Sequence, residues 1–387
     1  MTKNISMKAV ILAIPFLQMS ATAISPALAD IMADYPHISA NMVTWMVTLP
    51  SFTSVIAALI LSRLVTFMTK RSLLMIALGS FLIGGIVPYF IDNFYLILVF
   101  RAVFGTSIGF LMSLSPGLVT DFFDGEERAA MMGNQSAAVN LGGLVFMFFG
   151  GILAAVHWNV TFLVYLIGLP IALWIFLKLP EQVNFEQEHK EKINLPVKVY
   201  ILLGGVMLFN TLFFSLMTNA SVMISAEKLG DTTQAGEVLT FFTVGSFLAG
   251  MFFGKTYKTF SSYTTAFGWL CAGTGMLIAG LSHNLILIII GSFLTGAGMA
   301  TTMPSYLIKL SHSAPPNAVS IAFAYTAVAA GIGQFLSPYF LGIFNLIFSR
   351  EIGRFPILVS SIILLMMAIA IFISTRVSRN NMAELSQ

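Results

Sequence analysis

Twelve long apolar runs dominate this chain of 387 residues, at about 7–29, 43–65, 73–91, 94–118, 131–156, 161–179, 199–221, 238–253, 265–281, 285–310, 318–344 and 356–373. The hydrocarbon core of a bilayer takes about 20 residues of helix, so most runs can span it as they stand. The eighth and ninth are short and need flanking residues. Hydrophobic residues make up 57% of the chain and charged residues 9%, against about 25% charged in a soluble domain. Alternating polar and apolar strands are absent, which excludes a porin-like barrel. The sequence therefore predicts an all-α integral membrane protein with twelve transmembrane helices.

The one long polar stretch inside the chain, PEQVNFEQEHKEKINLP from Pro180 to Pro196, splits the runs six and six. It predicts a six-helix bundle over 1–180, a solvated linker over 181–196 and a second bundle over 197–387. Sliding one half by 188 places Lys70 on Lys258, Pro116 on Pro304 and Gly143 on Gly331, as a duplicated six-helix unit with pseudo-symmetric halves requires. With the N-terminus inside, fifteen Lys and Arg residues fall on the inner side. Only Lys228, Arg350 and Arg354 fall outside. Cytoplasmic loops retain basic residues, so both termini are expected in the cytoplasm and the chain in the plasma membrane. Ala27-Leu28-Ala29 is read as part of the first span, not as a cleavage site.

Arg101 is the only Lys or Arg well inside a run. A guanidinium in hydrocarbon costs about 2.5 kcal/mol or more, so it is expected to face a polar interior. Gln18, Gln135, Asn140, Asn210, Asn219, Tyr306 and Gln334 also lie deep in runs, where each can contact cargo or bond a neighbouring helix. No Asp or Glu lies mid-run. Asp30, Asp34 and Glu237, at the outer ends of runs one and eight, are the candidates for carrying a proton, Asp30 first. The net charge of +3 and its scatter over short loops exclude nucleic acid as a partner. The five histidines show no ligand spacing, and the single Cys271 reads as packing. No phosphate loop with its lysine is present, so neither a metal, a cofactor nor a built-in ATPase is expected. Without a soluble domain or a clustered nucleophile and base, an enzyme is not expected either.

These residues resemble the major facilitator superfamily over the whole chain, and within it the twelve-helix drug-efflux branch. Ser62-Arg63-Leu64-Val65-Thr66-Phe67-Met68-Thr69-Lys70-Arg71 is similar to the family's loop between helices 2 and 3 at its basic end, with Thr66 in place of an aspartate. Arg101-Ala102-Val103-Phe104-Gly105 resembles the helix 4 motif, with Phe104 in place of a glutamine. Gly133, Gly142, Gly150 and Gly151 keep the spacing of the antiporter signature in helix 5, but Phe146-Met147 replace its Gly-Pro. The resemblance implies that Arg101 lines a central cavity and that Gly105, Gly142, Gly150 and Gly151 serve close helix packing. Lys70, Arg71, Asp121 and Arg128 would then form a cytoplasmic gate, with Asp121 pairing Arg71 or Arg128. The expected activity is proton-coupled efflux of hydrophobic or amphipathic small molecules by alternating access, by a monomer whose partners are cargo, protons and the bilayer. The alternative is a facilitator or proton symporter for a specific metabolite, sugar or organic anion.

Overall fold

The computed structural model describes all residues except 1, 65–66, 124, 180–194, 316–317, 349–352 and 386–387, so the 181–196 linker and Thr66 lie largely or wholly outside the described residues. Among the described residues fourteen α-helices and four short 3-10 segments follow one another, and no strand occurs. The first unit comprises α1 (Thr2–Phe16), a 3-10 stretch (Ser20–Ala27), α2 (Leu28–Asp34), α3 (Ala40–Leu64), α4 (Lys70–Ile86), α5 (Phe94–Phe122), α6 (Gly125–Ala154), a 3-10 stretch (Trp158–Ile167) and α7 (Gly168–Lys178). The second holds α8 (Val197–Ala226), α9 (Thr232–Met251), α10 (Phe253–Phe260), α11 (Thr264–Leu281), α12 (Leu285–Ser313), α13 (Val319–Phe348) and α14 (Arg354–Leu385). Residues 231–236, at the start of α9, group with the first unit.

Eleven stretches among the described residues are long and apolar enough to cross a membrane. The eighth apolar run is not among them, although it forms the 20-residue helix α9. The fold is that of a twelve-helix membrane protein in two pseudo-symmetric bundles.

The same helix pairs pack in each unit, but one helical turn away from the register that the sequence suggests. A Cβ at Gly84 would stand 2.5 Å from Phe104 N and 2.7 Å from Phe100 O. A Cβ at Gly275 would stand 2.6 Å from Thr295 N and 2.5 Å from Gly291 O. These partners are each 191 positions apart. Gly142 abuts Phe16 O just as Gly333 abuts Met207 O, again 191 apart. The slide of 188 is therefore corrected by three residues, and Pro116 and Pro304 are not equivalent. An apolar helix repeats every 3.6 residues, so a slip of three changes its pattern little.

The expected packing glycines sit where backbones touch. A Cβ on Gly105 would collide with Pro50 O and Thr53 Oγ1, one on Gly150 with Ala23 O, and one on Gly151 with Gly236 Cα at 2.8 Å. Small residues permit such approach where lipid offers no hydrophobic drive to associate.

Candidate functional site

Pro50 lies inside α3 and has no N–H, so the carbonyl of Met46, four residues earlier, loses its ladder partner. In the first span the backbone runs as 3-10 from Ser20 to Ala27, with Pro26 inside the stretch. Freed carbonyls have no water to turn to in hydrocarbon and must be satisfied by protein. Arg101 on α5 supplies the donors. Its Nε donates to Met46 O at 2.7 Å, its Nη2 to Ala21 O at 2.9 Å and its Nη1 to Tyr165 Oη at 3.1 Å. Tyr165 Oη in turn donates to Ser20 O at 3.2 Å. The guanidinium carbon lies 4.7 Å from the ring centre of Phe104 and 5.8 Å from that of Tyr165.

Arg101 is 0% exposed. The expectation that it opens onto a wet chamber is thus replaced by a charge enclosed within the first unit, held by carbonyl dipoles and two ring faces. Hydrogen bonds to a charged group contribute about 1.5–3 kcal/mol each, and a desolvated cation over an aromatic face about 2 kcal/mol. Those gains offset the desolvation of the guanidinium. Phe104, where the resemblance would place a glutamine, is one of the two rings against which it lies.

The equivalent position in the second unit, 191 further on, is Ser292. Its Oγ donates to Val238 O at 2.6 Å. Val238 stands 192 after Met46, and Phe242, which has its N–H, stands 192 after Pro50; a single extra donor suffices there. The polar centre of this unit lies elsewhere. Gly333 brings α13 against α8, and the neighbouring Gln334 Nε2 donates to Asn210 Oδ1 at 3.3 Å. Asn210 Nδ2 donates back to Val206 O at 2.9 Å. Tyr306 is buried with its hydroxyl beside Gly205, and Asn219 donates to Ser215 O at 2.9 Å.

The sequence model of the family described as Major Facilitator Superfamily matches residues 10–225 and 202–385. The chain belongs to this family. A triacylglyceride transporter of Mycolicibacterium smegmatis is 24% identical over 211 residues, covering 53% of this chain and 36% of its own length. An uncharacterised MFS-type transporter of Bacillus subtilis, YcnB, is 30% identical over 115 residues, covering 30% of this chain and 24% of its own length. The chain thus spans well under two thirds of these curated relatives. Among solved structures, a bacterial homologue of the human lysosomal transporter Spinster superposes with a TM-score of 0.75 at 14% identity, covering 95% of this chain and 96% of that one. A D-xylose–proton symporter superposes with a TM-score of 0.71 at 16% identity, covering 95% and 97%. Both likenesses concern the fold. Family membership thus rests on the sequence model, and the fold on the solved structures.

The remaining sequence-predicted residues of this chain are partly brought together. Among the described side chains Asp121 does not pair with Arg71, and Arg128 lies outside them. Its carboxylate instead receives Lys70 Nζ at 2.7 and 2.6 Å, and Arg71 Nη2 donates to Phe176 O at 2.9 Å. The pairing is therefore internal to the first unit. Gln135 Nε2 donates to the carbonyl and hydroxyl of Ser115, both at 2.8 Å, and Gln18 to Leu111 O at 3.4 Å. Asn140 is half-buried on α6.

At the far end of the first span Asp34 accepts from Trp158 Nε1 and lies 3.7 Å from His157 Nε2. Asp30, half-exposed in the first turn of α2, is within electrostatic reach of Asp34, Asp231 and His157. Glu237 is half-buried on α9 and belongs to the second unit. Sequence reasoning missed Tyr165, Met46 and Ser292, and it missed a cluster in which Arg354 donates from two nitrogens to Glu227 while His283 Nδ1 stands 3.1 Å from the same carboxylate. The hydrogen bonds from Arg354 hold the Glu227 carboxyl below its ordinary value of 4.5. Pro50 was the available signal for the first group, since it marks the Met46 carbonyl as in want of a donor.

Proposed function

We propose that this chain is a secondary transporter that exports hydrophobic or amphipathic small molecules in exchange for protons by alternating access. The observation that carries this reading is that no Asp or Glu is buried among the described residues. Their buried charges are Arg101, which is saturated by its own bundle, and Lys70, which is paired with Asp121. A pathway of this composition favours cargo without strong charge, recognised by apolar walls and a few amides such as Asn210 and Gln334. The similarity to a triacylglyceride transporter supports a lipid-like cargo. Asp30, half-exposed and within electrostatic reach of Asp34 and His157, serves as the proton carrier, and Arg101 acts as a positioning residue for the first bundle. The excess of basic residues on one side supports cytoplasmic termini in the plasma membrane.

A second reading, a facilitator or proton symporter for a polyhydroxylated metabolite, is favoured by the Asn210–Gln334 amide pair, whose groups suit hydroxyl ligands. Counterflow in proteoliposomes with and without a pH gradient separates the two. Efflux of labelled amphiphiles with coupled proton entry, reduced in Asp30→Asn, is expected. Uptake of sugars or organic anions with no amphiphile movement would replace the first reading by the second.

A further inference from the structure

The second unit carries an apolar groove of about 330 Å³ between α11 and α14, bounded at one end by Phe260 of α10. Its walls are built from aromatic pairs. Phe260 stacks on Phe267 with centroids 4.3 Å apart and planes inclined by 11°, and Tyr263 meets Phe372 at 5.0 Å. Leu270 and Ile369 complete it and are largely exposed. Its volume falls at the lower end of ligand sites, about 300–1,000 Å³.

What distinguishes this groove from ordinary lipid-facing surface is the set of exposed basic residues that neighbour its lining in sequence. The short helix α10, FGKTYKTF, places Phe253, Tyr257 and Phe260 at i, i+4 and i+7, on one face. Lys255 and Lys258 stand on the other and are exposed. Arg376, also exposed, follows Phe372 by one turn of α14. No Asp or Glu occurs between Glu237 and Glu351, so neither α10, α11 nor α12 brings a carboxylate to these cations. An amphipathic basic segment beside an apolar slot matches a molecule with an anionic head and a hydrocarbon tail.

We propose that this groove is a binding site for one anionic phospholipid of the adjoining leaflet, its acyl chain between the Phe260–Phe267 and Tyr263–Phe372 pairs and its phosphate on Lys255, Lys258 and Arg376. The occupant is anionic because exposed Lys258 and Arg376 lie within a turn in sequence of the lining residues Phe260 and Phe372, with Lys255 one turn before Lys258, and α10, α11 and α12 carry no carboxylate. It is a bilayer lipid because the slot opens on the exposed, apolar side of Leu270 and Ile369.

Native mass spectrometry of the purified full-length chain, titrated with phosphatidylglycerol or phosphatidylcholine of matched chains, tests this. The intact protein is expected to retain one phosphatidylglycerol about tenfold more tightly than phosphatidylcholine. Lys255→Gln with Lys258→Gln removes that preference, since each basic residue near the surface is worth a factor of about five. Ile369→Trp, which fills the slot from an exposed position, weakens both lipids; Phe372→Ala serves the same purpose if that variant does not fold. Equal retention of the two lipids by the intact chain, or an unchanged preference in the double variant, would overturn the proposal. Detergent occupying the site to the exclusion of both lipids would overturn it too.

Discussion

Arg101 and Ser292 occupy the same place in the two bundles and do the same job at different scale. Each donates to a carbonyl of the neighbouring helix, Met46 in one half and Val238 in the other. In the second half that carbonyl keeps its ladder partner, because residue 242 is phenylalanine. In the first half Pro50 removes the partner, and the 3-10 stretch of the first span presents the Ala21 and Ser20 carbonyls to Arg101 and Tyr165. A hydroxyl has one proton to give; a guanidinium has five in a planar fork. The buried charge follows from two backbone irregularities, and the bundle without them manages with a serine.

The largest expected effect comes from breaking the larger node. Arg101→Met removes the donors to the Met46 and Ala21 carbonyls and should lower unfolding free energy by about 2–3 kcal/mol, the upper part of the range for an unsatisfied buried acceptor, read by denaturant titration of the purified protein; Arg101→Lys, with a compact ammonium, should recover only part of it. The common geometry of the halves is tested by Gly105→Ala and Gly296→Ala, whose new methyl groups meet Pro50 O and Phe242 O. Both should cost about 1–3 kcal/mol, and a large difference between them would deny the equivalence on which the comparison rests. Ser292→Ala should cost about 0.6 kcal/mol, the mean for interhelical hydrogen bonds in membranes.

The smallest effect is a pH dependence confined to the second unit. Because the folded carboxyl of Glu227 is lowered, its stabilisation is complete above the ordinary glutamate value of 4.5 and is lost as pH falls through the lower folded value. Thermal scans between pH 7 and pH 3 should show a decline at the acid end that Glu227→Gln flattens.

Much of this architecture is legible from residue type and spacing alone. Run lengths announce the spans, Arg101 stands out as a charge in hydrocarbon, and Gly105, Gly142 and Gly150 mark close approaches. What escapes is the identity of partners. Lys70 and Arg71 are interchangeable on paper, yet successive helix residues point about 100° apart, so one reaches Asp121 and the other Phe176 O. The backbone recipients of Arg101 are the carbonyls of Met46 and Ala21, and only the first is advertised by a residue type, through Pro50. The repeat register slipped for the same reason that helices are easy to find: apolar periodicity tolerates a shift of nearly one turn.

The most direct test of the carbonyl-clamp account is a double-mutant cycle between Arg101→Met and Pro50→Ala, read as unfolding free energy. Pro50→Ala returns an N–H to Met46 O, so the arginine should matter less in its presence, with a coupling of about 1 kcal/mol or more. Strict additivity of the two substitutions would contradict the claim that Arg101 is there to satisfy the carbonyl that Pro50 leaves open.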